Sequence, residues 1–269
     1  MTATKPFSGS PVDGYWGGDN SQHVNFIGVD QHVHELYIAP DIAGWVDNDL
    51  TALAGPNASN PNLVPMSQLH GFWGGDNSQH VNYVGVDFLV HMLYIEPNGP
   101  GWVDDATPVG ASISTALPGY WGSDGSQHVF FVAGGFSGSG LHELYTAPGA
   151  VEPNWVDHDL SALAGAAAPA GLALDAYWGS DSSQHVNFIG TDGHVHELYI
   201  APDTPGWVDH DLTKLAGAVA PAPGTALDAY WGSDSSQHVN FIGVDGDVHE
   251  LYIAPSATGW LNNNLTALA

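Results

Sequence analysis

Cysteine and arginine are both missing from this 269-residue chain, and lysine occurs only twice, as Lys5 and Lys214. Without cysteine there is no disulfide framework, no thiolate nucleophile and no cysteine-based zinc site, and redox chemistry says nothing about the compartment. Without cations nothing neutralises a phosphate backbone or an anionic membrane surface, and the formal net charge of −27 repels both. Nucleic acid is therefore not an expected partner. No apolar run reaches the roughly 18 residues of a membrane span, and residues 1–10 lack both the charged and the apolar region of a secretory signal. The expectation is a protein without membrane insertion, cytoplasmic by default, with release lacking a signal peptide as the other route.

What is present points to a globular chain, since 43% of residues are hydrophobic and only 12% charged. Its 15 histidines are the one reserve of positive charge, filled below pH ~6.5, so solubility and histidine-dependent binding are expected to respond to pH. The aromatic residues fall in a repeat. An aromatic-Trp-Gly phrase recurs at Trp16, Trp73, Trp121, Trp178 and Trp231, at intervals of 48 to 57 residues, the period of a four-stranded propeller blade. Four short segments rich in β-branched and aromatic residues follow each other in every unit, as at residues 175–178, 184–189, 194–200 and 207–213. Asp192-Gly193 and Asp245-Gly246 suit a two-residue hairpin turn between the second and third segments.

Blades stacked radially bury both faces against neighbours, which accounts for apolar residues on both strand faces. The reading is an all-β, five-bladed β-propeller with four antiparallel strands per blade. It forms a single domain over residues 1–269, with units near 14–56, 71–108, 119–165, 176–217 and 229–269. The stretches 55–70, 106–118 and 165–174 read as loops, and no amphipathic helix is evident. The last segment ends with the chain, so five complete units are expected.

Chemistry repeats with the blades. The second segment carries Gln-His at His23, His80, His128, His185 and His238. The third carries His-Glu ending in Glu35, Glu143, Glu197 and Glu250, with His91-Met92 instead in unit two. The fourth supplies Trp45, Trp102, Trp155, Trp207 and Trp260. An imidazole, a carboxylate and an indole suit a sugar, whose hydroxyls need donors and acceptors and whose apolar ring face needs an aromatic wall. The same Gln-His pair serves equally as a hydrogen-bond network tying strands together. A carboxylate repeated amid apolar residues is costly to bury without a partner, and Lys or Arg partners are lacking. Asp157-His158-Asp159 and Asp209-His210-Asp211 are weak metal-ligand sets, and no metal or other cofactor is expected.

The order Gln-His-Val-x-Phe, turn, Val-His-Glu, then Trp resembles the blades of fungal and bacterial fucose-binding propeller lectins of the Aleuria type, and more generally tectonin-like and Photorhabdus-type propeller lectins. The resemblance implies that His23, His128, His185 and His238 stand where that family has Arg. It places Glu35, Glu143, Glu197 and Glu250 at the carboxylate position and Trp45, Trp155, Trp207 and Trp260 at the stacking position, in sites between adjacent blades. The family is commonly six-bladed, whereas five units are counted here. Imidazole has two ring nitrogens where guanidinium has a fork of donors, so the sugar is left open beyond glycans, fucosylated ends among them. The expected function is multivalent carbohydrate binding without catalysis. Unit two, with Met92, is expected to have a weakened site. A protein-interaction scaffold, with the irregular stretch 134–140 as its patch, and a glycoside-processing propeller enzyme are the alternatives; the enzyme needs one carboxylate unlike the rest, and here they recur.

Overall fold

A computed structural model describes residues 3–61, 68–112, 115–133, 140–148 and 154–269. The first sheet runs β1 (Val12–Trp16), β2 (Gln22–Ile27), β3 (Val33–Ile38) and β4 (Val46–Asp49), followed by helix α1 (Leu50–Ala54). The second holds β5 (Leu69–Trp73), β6 (Gln79–Val84), β7 (Leu89–Ile95) and β8 (Val103–Gly110). The third holds β9 (Gly119–Trp121), β10 (Gln127–Val132), β11 (Leu141–Thr146) and β12 (Val156–Asp159), followed by α2 (Leu160–Ala164). The fourth comprises β13 (Pro169–Trp178), β14 (Gln184–Gly190), β15 (Val195–Ile200), β16 (Val208–Asp211) and α3 (Leu212–Ala216). The fifth comprises β17 (Asp228–Trp231), β18 (Gln237–Ile242), β19 (Val248–Ile253), β20 (Leu261–Asn264) and α4 (Leu265–Leu268). Each of the five is a four-stranded sheet in sequential order. The chain divides into two compact units, one centred on the first two sheets and the other on the last two, with residues of the third sheet in both.

The turn between the first two strands is built to receive a neighbouring side chain. In the first sheet the Gly17 N–H bonds the Ser21 carbonyl at 2.9 Å, and Asn20 takes a positive φ of 66°. The same left-handed position falls on Asn77, Gly125, Ser182 and Ser235, residue types that tolerate it. A Cβ on Gly17 would run into Ser21, Asp19 and the Trp73 ring of the second sheet, and Gly74 and Gly179 meet Trp121 and Trp231 in the same way, so these glycines are where a neighbouring indole comes down.

The second hairpin differs from the sequence expectation. The Gly190 N–H bonds the His194 carbonyl at 2.8 Å, and positive φ is confined to Gly193 at 81°. The loop therefore has three residues with one left-handed position, since a two-residue type I′ turn needs two in succession.

Strand register decides which side chains share a face. Tyr15, His23 and Tyr37 stand opposite one another across β1–β3, as do Asp13, Asn25, Glu35 and Asn48 one row on. Because side chains alternate, these two rows lie on one face, while Val24 and Leu36 point to the other. Facing sheets pack within each unit. In the first unit Ile27, Val33 and Leu50 pack with Leu69, Val81, Tyr83 and Leu93 of the second sheet, and Trp102 closes the edge. In the second unit Tyr177, Val195 and Leu212 pack with Leu227, Val239, Phe241 and Leu251, with Trp260 alongside.

The structure corrects the reading of loops and helices. Residues 165–174 are not simply loop, because β13 starts at Pro169 and carries a bulge before Leu174. Likewise β8 extends through Gly110 into the 106–118 stretch. Among the described residues there are four one-turn helices, too short to show an amphipathic face, that the sequence reading did not identify. Asp49, Asp159 and Asp211 cap the first three by accepting N–H bonds from Ala52, Ala162 and Lys214. Helices this short are marginal alone; Leu50, Leu160 and Leu212, all fully buried, hold them down. Thr51 and Thr213 add a tie, accepting the Val33 and Val195 N–H groups at 2.9 and 2.8 Å. Residues 134–139, nearly all of the irregular stretch of the third unit, lie outside the described residues.

Candidate functional site

In the first, fourth and fifth sheets the turn and the first three strands build a polar chain through the interior. Asp19 accepts the backbone N–H and the hydroxyl of Ser21. Ser21 Oγ lies 2.6 Å from His23 Nε2, and His23 Nδ1 lies 2.7 Å from Glu35 Oε1. Asn48 of β4 completes it, donating to Glu35 Oε2 at 3.0 Å. The fourth sheet repeats the chain through Asp181, Ser183, His185, Glu197 and His210, with 2.8 Å between His185 and Glu197 and 3.3 Å between His210 and Glu197. The fifth does so through Asp234, Ser236, His238, Glu250 and Asn263. In the third, Ser126 lies 2.6 Å from His128 and His158 lies 2.9 Å from Glu143.

The histidine and glutamate expected to meet a ligand are thus brought together, and they are buried. The His23 and Glu35 side chains are 0% and 2% exposed, as are those of His185 and Glu197. Only the fifth-sheet pair opens slightly, to 16% and 15%. The imidazoles are also sandwiched, His23 stacking on Tyr15 with 4.7 Å between centroids and His185 on Tyr177 at the same distance. What reaches the surface is the fourth-strand partner of the carboxylate, His158 and His210 being 37% and 38% exposed. Sequence reasoning did not single out Asn48, His158, His210 and Asn263 for this role. The signal was the cross-strand register that puts Asn48, His210 and Asn263 opposite Glu35, Glu197 and Glu250.

Burial alone would raise the Glu197 carboxyl, but hydrogen bonds from His185 and His210, with their charge, hold it below the ordinary value. An ionised carboxylate only accepts, so the proton between His185 and Glu197 sits on Nδ1. The same bond raises His210, against a smaller lowering by burial. The second sheet has no such carboxylate. His80 Nδ1 faces the Met92 sulfur at 3.1 Å, and burial, little offset by Asp76, pushes His80 down to about 4. At neutral pH this histidine is uncharged.

The indoles come from the following sheet. Opposite Met92 on β8 stands Asp105, and Trp155, just before β12, donates its Nε1–H to Asp105 at 3.2 Å. A cavity of about 30 Å³ opens there, lined by His80, Met92, Tyr94 and Asp105 of the second sheet and by Gln127 and Trp155 of the third. In the second unit an open groove of about 380 Å³ lies between Asp181 and the fifth-sheet residues Trp231, Gln237 and Ile253. Trp102 and Trp260 sit half-buried at the corresponding edges of the two cores. Trp207 is also half-buried, whereas Trp45 is 51% exposed in a groove with Thr4, His34 and Asp47. Of the first-segment tryptophans, Trp73, Trp121 and Trp231 lie 5.5 to 5.8 Å from His23, His80 and His185 of the preceding sheet, while Trp16 is 64% exposed.

On the opposite face the other histidines are clamped between carboxylates. His196 Nδ1 lies 2.8 Å from Asp209 and its Nε2 3.1 Å from Asp192. Although burial acts to lower it, these two partners raise His196 to about 9. His34 and His91 are held alike, by Asp47 with Asp30 and by Asp104 with Asp87. Among the described residues, the groups able to converge on a metal ion are Asp30, His34 and Asp49, and Asp192, His194 and Asp211. The runs expected to ligate weakly are divided instead: Asp209 and His210 face opposite sides of β16 and bond His196 and Glu197.

No protein-family model matches the chain, and no curated protein matches it. Solved structures do. The fucose-specific lectin of Aleuria aurantia is similar over 97% of this chain and 80% of its own, at 17% identity and a TM-score of 0.67. The BP39L lectin of Burkholderia pseudomallei is similar over 95% of this chain and 69% of its own, at 15% identity and a TM-score of 0.60. The GH93 α-L-arabinofuranosidase of Fusarium graminearum is similar over 97% of this chain and 83% of its own, at 9% identity and a TM-score of 0.57. The chain thus has the β-propeller fold of these lectins.

Proposed function

We propose that the protein is a multivalent carbohydrate-binding lectin whose five sheets serve as five propeller blades, with sites repeated between successive blades. The observation that supports this reading is the open groove of about 380 Å³ in the second unit, where Asp181 of the fourth sheet faces Trp231 and Gln237 of the fifth and leaves room for a sugar ring. In such a site the sugar's apolar face rests on an indole, Trp102, Trp155, Trp207 or Trp260. Its hydroxyls pair with Asn48, His158, His210 or Asn263 at the surface. Glu35, Glu143, Glu197 and Glu250, with His23, His128, His185 and His238, act from beneath, orienting those donors. Trp45 is the corresponding exposed indole of the first blade.

Fucose is the first sugar to test, since the Aleuria aurantia lectin has been solved with α-methyl-L-fucoside. Single sites at ~0.1–1 mM become useful by repetition, since simultaneous engagement multiplies apparent affinity by ~10²–10⁴. Catalysis is not proposed, because the glutamates recur in equivalent surroundings and none is set apart as acid or base. A glycan array probed with the native chain and with Trp260→Ala tests the reading. The native chain is expected to retain a defined class of glycan and the variant, still folded, to retain it with reduced avidity. Absence of retention on every glycan contradicts it.

A further inference from the structure

The cavity at the second blade has a different chemistry from its counterparts. We propose that it takes an amino sugar with a free, protonated amine, the ammonium entering the cavity and the ring lying on Trp155. The inference rests on the lectin reading for the ring; the amine is argued from the cavity itself.

The lining is rich in acceptors and acidic. Asp76, Glu96 and Asp105 bring three carboxylates. Gln127 adds an amide oxygen that is buried and without a hydrogen-bond partner. Two of the donors there are already committed, Ser78 to Asp76 and the Trp155 N–H to Asp105. The chain's two lysines, Lys5 and Lys214, are not among the lining residues. Elsewhere the repeat sets a histidine against a glutamate and adds an Asn or His donor on β4, β12, β16 or β20. Here thioether replaces carboxylate, and carboxylate replaces the fourth-strand donor.

A sugar hydroxyl offers one donor and needs donors in return, whereas an ammonium offers three donors and accepts none. Trp155 adds a cation–π face of the kind that ammonium groups favour. Size agrees as well. About 30 Å³ holds two or three water-sized groups, given about 10–15 Å³ for each; an ammonium fits and a whole ring does not. Met92, 3% exposed, lines the floor and reports on occupancy.

The experiment uses the full chain with its methionine methyls labelled for NMR, alongside calorimetry with glucosamine, N-acetylglucosamine and glucose. Glucosamine is expected to bind once per chain, to shift the Met92 methyl, and to bind at least tenfold more tightly there than the N-acetylated sugar or glucose. Asp105→Asn is expected to weaken glucosamine at least tenfold. Trp155→Phe, a smaller change that keeps the proposal testable if the first variant is unstable, is expected to weaken it as well. Equal binding of glucosamine and N-acetylglucosamine at the Met92 methyl, or unchanged affinity in folded Asp105→Asn, overturns the inference. Neutral glycans bound elsewhere with no glucosamine effect on Met92 sink the amine site and leave the lectin reading standing. A glucosamine shift at Met92 with no neutral glycan bound anywhere sinks the lectin reading and supports the amine pocket.

Discussion

Exchanging one carboxylate for a thioether takes away the acceptor that faces the histidine of the neighbouring strand. His23, His185 and His238 each meet a glutamate within 2.8 Å, but His80 meets Met92 and is pushed down to about 4. Burying an ion pair costs several kcal/mol of desolvation unless every lone pair is answered. The chain from Asp19 to Asn48 answers them, and Glu197 stays ionised because its own chain does the same. Met92→Glu restores the missing partner in a setting the other blades already accommodate, so it should fold. An opposite charge at hydrogen-bond distance favours the charged imidazole by about one to three pH units. The NMR titration midpoint of His80 is therefore expected to rise by about two pH units in Met92→Glu; an unmoved midpoint shows that burial, not the missing carboxylate, governs this residue. The oddity of Met92 was plain in the sequence, as was the cost of an unpaired repeated glutamate. The identity of its surface partner was not, since that position holds Asn48, Asp105, His158, His210 and Asn263 in turn and looks variable until register places it opposite the third strand.

In the first, second and fourth sheets a histidine of the third strand ties the second-to-third turn to the fourth strand on the other face. His196 sits between Asp192 of the turn and Asp209 of β16, and with Arg absent and Lys nearly so, histidine supplies the cation of such pairs. The folded value of about 9 lies above the ~6.5 of an unfolded histidine. The clamp's contribution is thus complete below pH ~6.5 and is lost as pH rises through about 9. Asp192 works at the opposite end: although burial acts to raise it, bonds from the His194 N–H and from His196 hold it low, and its share is lost on acidification. The thermal midpoint is expected to fall between pH ~7 and pH ~9.5, and His196→Gln, less stable at pH ~7, to fall less over that interval. Parallel falls contradict the clamp. At this scale the strands were legible because β-branched and aromatic runs at a constant order announce them. The capped helices were not, because five residues such as Leu-Thr-Ala-Leu-Ala are too short to show a helical period, though the Asp before and the Gly after α1, α2 and α3 mark both ends. The start of β13 is hidden because Pro, Ala and Gly dominate it, and the bulge before Leu174 interrupts its alternation.

For the whole molecule, repetition is both the clearest message of the sequence and the substance of the proposed function. Near-identical units reproduce one packing solution and one polar chain, and the loops between them vary without disturbing either. Four units keep the His–Glu pair and one departs from it, so the proposal is not five copies of one site. The sites themselves were only half legible: the residue types recur in one repeat, but the indole beside His80, Met92 and Asp105 is Trp155 of the next, an arrangement produced by packing sheets face to face. Calorimetric titration of the native chain with the preferred neutral glycan tests this most directly. A stoichiometry near four per chain is the predicted result, and a single site, or no heat with any glycan, would contradict it.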